Sequence, residues 1–223
     1  MIPWEHLDTA RIPGSRDDLR LMRRGAEYSI MLGQITLMGS RLSGSEKALA
    51  TLVCERLTQV KKPRVLIGGL GMGFTLRAAL EGFGDAELIV SELFPAVVQW
   101  ARGPMAELFA GCLDDPRVTI RTEDVGQIIR ASRSVFDAIL LDVDNGPDAL
   151  THVVNQRLYS HQGVSAARNA LRPGGILAVW SQGPDERFAA RLQQAHFTVE
   201  EVRVRAQRQG KGSRHVIWLA RKA

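Results

Sequence analysis

Four short stretches hold side chains whose types and spacing could do chemistry. The first is Gly68-Gly69-Leu70-Gly71-Met72-Gly73, followed by Phe74-Thr75. Glycines at alternate positions let the backbone turn sharply and approach a ligand, and a helix opening behind them offers free N–H groups. The spacing is G-x-G-x-G, with Phe74 standing where a dinucleotide fingerprint has its last glycine. The second is Glu92, 23 residues beyond Gly69, the distance at which a carboxylate can grip a ribose hydroxyl pair. The third is Glu123-Asp124, where Asp124 could accept from the exocyclic amine of a base. The fourth is Asp142-Val143-Asp144-Asn145-Gly146-Pro147. Asp142 ends an apolar run, where a carboxylate is costly without a partner or a task. It is the candidate for a catalytic base or for orienting a nucleophile.

Each stretch also has a plain structural explanation. A tight strand–helix turn uses similar glycines, a single Glu can be a surface residue, and Asp-Asn-Gly-Pro is turn chemistry. The order of the four is more informative than any one of them. The five histidines show no ligand spacing, and Cys54 and Cys112 have no metal-type spacing, so no metal is expected.

Elements that could position these residues follow in the same order. Strands are expected at Arg64–Ile67, Glu87–Val90, Arg117–Ile120, Phe136–Leu141 and Ile176–Trp180. Helices are expected from Phe74, from Pro95, over Ser160–Leu171 and over Asp185–Ala195. Thr198–Arg205 and Arg214–Ala220 read as an antiparallel pair joined by the basic turn Gln207–Ser213. Alternating strands and helices of this length imply an open, mostly parallel sheet covered on both faces. Ligands then bind outside the carboxyl ends of the strands, where all four stretches fall. Upstream, residues 1–26 read as an irregular arm, and Tyr28–Leu32 with Ile35–Met38 as a hairpin around Gly33-Gln34. Ser43 and Glu46 have capping-box spacing ahead of a stripe of Ala48, Leu49, Leu52 and Val53. The expected division is 1–58 for the arm, hairpin and lead-in helix, and 59–223 for a nucleoside-binding domain.

The 223 residues are 45% hydrophobic and 24% charged, which excludes disordered, collagen-like and coiled-coil classes. No apolar run reaches membrane-span length and the first residues do not resemble a signal peptide, so a cytoplasmic protein is expected. The net charge of +5 is local: Glu201–Ala223 alone carries +6, leaving −1 for the rest. A basic terminal segment without interleaved aromatics reads as a solvated strand pair rather than a nucleic-acid surface.

The four stretches together resemble the class I S-adenosylmethionine-dependent methyltransferase superfamily, and within it the spermidine-synthase-like group. The matching residues are Val65–Gly73 with Thr75-Leu76-Arg77, Val90–Val98, Phe136–Asp142, Leu158-Tyr159 and Leu171–Ala178, and coverage is about residues 27–220. The resemblance implies a Rossmann-like α/β fold with an antiparallel C-terminal strand pair and a short N-terminal β-hairpin. It implies that Gly69, Gly71 and Gly73 line the methionine and ribose part of a donor. Glu92 would hold the ribose hydroxyls, Asp124 the adenine amine, and Asp142 would activate the acceptor. Asp144, Asn145 and Tyr159 would touch the acceptor substrate. The sequence also departs from the group: Leu70, Gly71 and Met72 stand where its glycine loop carries an aspartate. Asn145 replaces a second aspartate, and Ser45 and Thr36 stand in for a tyrosine and a glutamine.

The first expectation is therefore a transferase moving a methyl group from S-adenosylmethionine to a small acceptor. The alternative is an aminopropyltransferase using decarboxylated S-adenosylmethionine and an amine, which would place the chain in polyamine biosynthesis. Two further alternatives are a non-catalytic nucleoside- or nucleic-acid-binding module and, less favoured, a nicotinamide-dependent oxidoreductase. No membrane partner is expected, and a homodimer is the assembly allowed for.

Overall fold

Successive residues of strand β5 (Arg64–Gly68) enter two different cores. Val65 and Ile67 join one with Leu88, Val90, Ala138 and Leu140. Leu66 joins the other with Ile89, Ile139, Leu141, Leu177 and Val179. This is the two-residue period of a strand covered on both faces, and all six residues of β8 (Phe136–Leu141) are buried accordingly. The computed structural model describes residues 2–12, 17–143, 157–206 and 212–223. Asp144, Asn145 and most of the expected basic turn Gln207–Ser213 lie outside the described residues.

β5 pairs in parallel with β6 (Glu87–Ser91) on one side and with β8 on the other. β7 (Val118–Arg121) extends the first side, and β9 (Leu171–Ser181) the second. β11 (Arg214–Lys222) then runs antiparallel between β9 and β10 (Phe197–Arg205), giving the order β10-β11-β9-β8-β5-β6-β7. The chain leaves β5 in one direction and returns to its other side at β8, so the crevice between their carboxyl ends is the switch point where ligands bind. The expected Rossmann-like α/β sheet with its antiparallel C-terminal pair is present.

The N-terminal region differs from expectation in one respect. Residues 1–26, read as an irregular arm, contain strands β1 (Glu5–Arg11) and β2 (Asp18–Arg24). With β3 (Glu27–Leu32) and β4 (Ile35–Gly39), the expected hairpin, they form a four-stranded antiparallel sheet. Leu19 and Leu21 alternate inward and are buried, but they stand among arginines that mask the period. Trp100 Nε1 donates to Asp8 Oδ2 at 2.6 Å and the Tyr28 hydroxyl to the Pro104 carbonyl at 2.8 Å, fastening this sheet to the α/β domain.

Helix α1 (Gly44–Arg56) packs on α2 (Phe74–Gly82). Ser43 is its N-cap residue, yet its side chain makes no capping bond, and Glu46 turns away from the helix start to accept from the Ser45 hydroxyl at 2.8 Å. The capping box does not form. No helix among the described residues is long and apolar enough to cross a membrane.

Candidate active site

Three hydrogen bonds bring the ends of β5, β6, β7 and β8 together. Gly69 N–H donates to the Ser91 carbonyl at 2.8 Å, Asp142 N–H to the Gly68 carbonyl at 2.9 Å, and Glu92 N–H to the Arg121 carbonyl at 2.9 Å. Gly69 has φ +91°, and a Cβ there would run into the Asp142 carbonyl, so only glycine lets the loop lie against β8. Above this junction lies a cleft of about 420 Å³, within the range of small-molecule sites.

Gly69, Gly71, Glu92, Asp124 and Asp142 all line the cleft. Glu92 is 6% exposed, and its two oxygens accept separately, Oε2 from Leu70 N–H at 3.0 Å and Oε1 from Phe94 N–H at 2.9 Å. Burial pushes its pKa up while these backbone donors pull it down. Asp124 is the N-cap of helix α3 (Val125–Ala131): Oδ1 accepts from Gly126 N–H at 2.8 Å, and Oδ2 lies 3.4 Å from the Arg130 guanidinium.

Asp142 Oδ2 accepts from the Thr75 hydroxyl at 2.6 Å. Thr75 Oγ1 also lies 3.2 Å from the Glu46 carbonyl, but one hydroxyl proton serves one acceptor well, and the short contact to the carboxylate is the stronger. Burial first, and then the charge of Glu46, push the pKa of Asp142 up to about 7, against the lowering effect of Thr75. A carboxyl poised near neutrality at the carboxyl edge of a sheet suits general acid–base work.

Two expected residues lie elsewhere. Gly73, at φ +75°, begins α2, and a Cβ on it would sit 2.6 Å from the Phe109 ring; it makes room for packing and does not line the cleft. Tyr159 is fully buried, packs edge-on against Phe188, and reaches the Val143 carbonyl with its hydroxyl at 3.3 Å. It supports the chain leaving β8 from behind.

Several lining residues escaped the sequence reading. Glu46 is turned into the cleft, and burial pushes its pKa up. Its S-x-x-E spacing pointed to a cap instead. Met38 and Leu42 come from the N-terminal region, and Trp180 and His215 from β9 and β11. His215 packs edge-on against Trp180 at 4.8 Å between ring centroids, and its Nδ1 is 2.9 Å from Ser45 Oγ. Of the two residues that stand in for a tyrosine and a glutamine, Thr36 lines the cleft and Ser45 is buried behind Glu46. Among the described residues, no group of three or more His, Cys, Asp or Glu could hold a metal ion.

No family model matches the chain. It is 36% identical over 123 residues to the polyamine aminopropyltransferase of Mycobacterium tuberculosis strain H37Rv, covering 54% of this chain and 23% of that protein. It is 33% identical over 138 residues to polyamine aminopropyltransferase 2 of Pseudomonas aeruginosa, covering 58% and 38%. The chain thus spans well under half the length of these relatives. Spermidine synthase from Thermotoga maritima superposes with a TM-score of 0.76 at 19% identity, over 98% of this chain and 73% of that one. A spermidine synthase in complex with the transition-state analogue AdoDATO gives 0.74 at 18% identity, over 98% and 72%. The chain shares the fold of these spermidine synthases, and in sequence it is similar to polyamine aminopropyltransferases.

Proposed function

We propose that the cleft binds decarboxylated S-adenosylmethionine and transfers its aminopropyl group to a small amine. One observation carries this reading: the described lining holds five carboxyl groups, Glu46, Glu92, Glu123, Asp124 and Asp142, against Arg41 and His215. Burial holds the pKa of His215 below its usual value, so it adds little positive charge at neutral pH. Such a lining favours a cationic donor without a carboxylate and a cationic acceptor. The names of the sequence relatives support the same reading, and they favour aminopropyl transfer over the methyl transfer expected first.

The geometry supports a role for each residue. A carboxylate offers about four lone-pair sites. Backbone N–H groups, Leu70 and Phe94 foremost, fix the Glu92 carboxylate in the cleft wall, where it can face a ribose hydroxyl pair. Gly69 and Gly71 let the loop backbone come close to the donor, and Asp124 Oδ2, beside Arg130, has a second lone pair to offer a base amine. The donor's sulfonium supplies the leaving group. The acceptor nitrogen attacks the methylene carbon next to sulfur, the carbon–sulfur bond breaks, and a thioether leaves. Asp142 takes the proton that the nitrogen sheds, with Thr75 fixing the direction of its carboxylate.

Methyl transfer is the second reading, favoured by Leu70, Gly71 and Met72 in place of a loop aspartate that would pair with the donor's free amine. The full chain incubated with putrescine and either donor, with products identified by mass spectrometry, tests both. Methylthioadenosine and spermidine from the decarboxylated donor are expected. A methylated amine from S-adenosylmethionine, with the decarboxylated donor left intact, would replace this reading by the second.

A further inference from the structure

A polar chain runs from the wall of the cleft into the protein. Glu46 lines the cleft, Ser45 Oγ donates to its Oε2 at 2.8 Å, and His215 Nδ1 lies 2.9 Å from the same hydroxyl. Ser45 is fully buried. Its one proton is committed to the carboxylate, so it can only accept from His215, and Nδ1 of the imidazole must carry the hydrogen. The ring is held a second time by Trp180, edge-on at 4.8 Å. Three elements meet in this chain: the first turn of α1, β11 and β9.

The position of Glu46 matters because its charge acts on Asp142 within the same cleft. Two carboxyl groups sharing a poorly hydrated space repel one another, and burial raises the pKa of each. An ammonium group placed by them relieves both costs, being attracted to each carboxylate and restoring their ionised forms. A side chain with this duty must not swing out to solvent, and the Ser45–His215 chain prevents that.

Resting on the amine-acceptor reading above, we infer that Glu46 is a second carboxylate, with Asp142, that holds the acceptor amine, and that His215 is the positioning residue that fixes Glu46 through Ser45. Asp142 takes the proton; Glu46 keeps its charge and anchors the cation.

The test uses the full chain, putrescine as the amine probe and methylthioadenosine as the donor-side probe. Glu46→Gln keeps the shape and the bond from Ser45 but removes the charge. It should raise the amine KM about 10- to 100-fold, the range for a lost charged hydrogen bond, with methylthioadenosine affinity unchanged. His215→Phe should raise the amine KM several-fold with kcat little changed. His215→Asn, whose amide can still donate to Ser45, should recover most of that loss. A merely structural histidine would give equal losses in both variants, matched by equal losses of thermal stability, and that result overturns its positioning role. An unchanged amine KM in Glu46→Gln overturns the role of Glu46 while aminopropyl transfer by the unsubstituted chain leaves the proposed function standing. If the unsubstituted chain consumes no decarboxylated donor with any diamine, the function itself fails and takes this inference with it.

Discussion

The Thr75 hydroxyl lies 2.6 Å from Asp142 Oδ2, joining the first turn of α2 to the end of β8 across the glycine loop. Thr75 is 3% exposed and has the shorter of its two contacts here, so it both aims the carboxylate and favours its ionised form. Thr75→Val keeps the shape and removes the donor. The rising limb of the kcat/KM–pH profile should move to higher pH in this variant. An unmoved limb would mean that Asp142 is not the group that titrates in catalysis.

Asp142 itself separates donor binding from chemistry. Asp142→Asn should leave methylthioadenosine affinity nearly unchanged and lower turnover by about 10²–10⁴, the usual range for a lost general base. Calorimetry and a steady-state assay on the same preparation check both. Loss of nucleoside affinity would instead assign Asp142 to the donor pocket.

The same residue has a stability signature. Its folded pKa of about 7 stands above the unfolded value of 3.8, so between these two pH values the folded state binds more protons than the unfolded state. Stability from this group is therefore present below pH 3.8 and lost as pH rises through 7. Asp142→Asn removes that loss. Its melting temperature should exceed that of the parent at pH 8, and the gap should close as pH falls toward 4, as thermal melts across this range would show.

Glu92→Ala should weaken methylthioadenosine binding by about 1.5–3 kcal/mol, the scale of lost bonds to a charged group. Leu70 and Phe94 would also lose their acceptor, so a modest fall in melting temperature accompanies it. Calorimetry giving a change of only a few tenths would remove Glu92 from the site.

Asp124 carries a cap and a proposed contact on different oxygens. Asp124→Asn retains a capping oxygen for Gly126, so stability should hold within a few tenths of a kcal/mol, while Asp124→Ala should cost about 1 kcal/mol. Both should weaken nucleoside binding, because an amide N–H or a methyl cannot accept from a base amine. Equal nucleoside affinity in all three proteins would leave Asp124 only its cap.

Much of this was legible in the sequence where the signal is local. The apolar strands, the glycine loop, Glu92 and Asp142 follow from runs and spacings within one strand–turn–helix unit. β1 and β2 did not, because β1 buries none of its residues and β2 buries only Leu19 and Leu21, an alternation too short to stand out in a polar segment. Glu46 carried a misleading local signal: S-x-x-E spells a cap, but its partner is Ser45 and its duty lies across the cleft. His215 carried no signal, since its meeting with Ser45 joins residues 170 positions apart and depends on β11 entering beside β9. Gly73 and Tyr159 had the right types in the right segments, and packing claimed both.

The insertion of β11 between β9 and β10 has a consequence for how the protein is made. A ribosome delivers β10 before β11, so Phe197–Arg205 emerges with no strand to pair with, while β9 waits with one edge bare. Until Arg214–Lys222 arrives, both edges can pair with another nascent chain. His215 is delivered by that same strand. Closure of the sheet and delivery of His215 to the cleft therefore come in one step, and a chain stalled before it has neither.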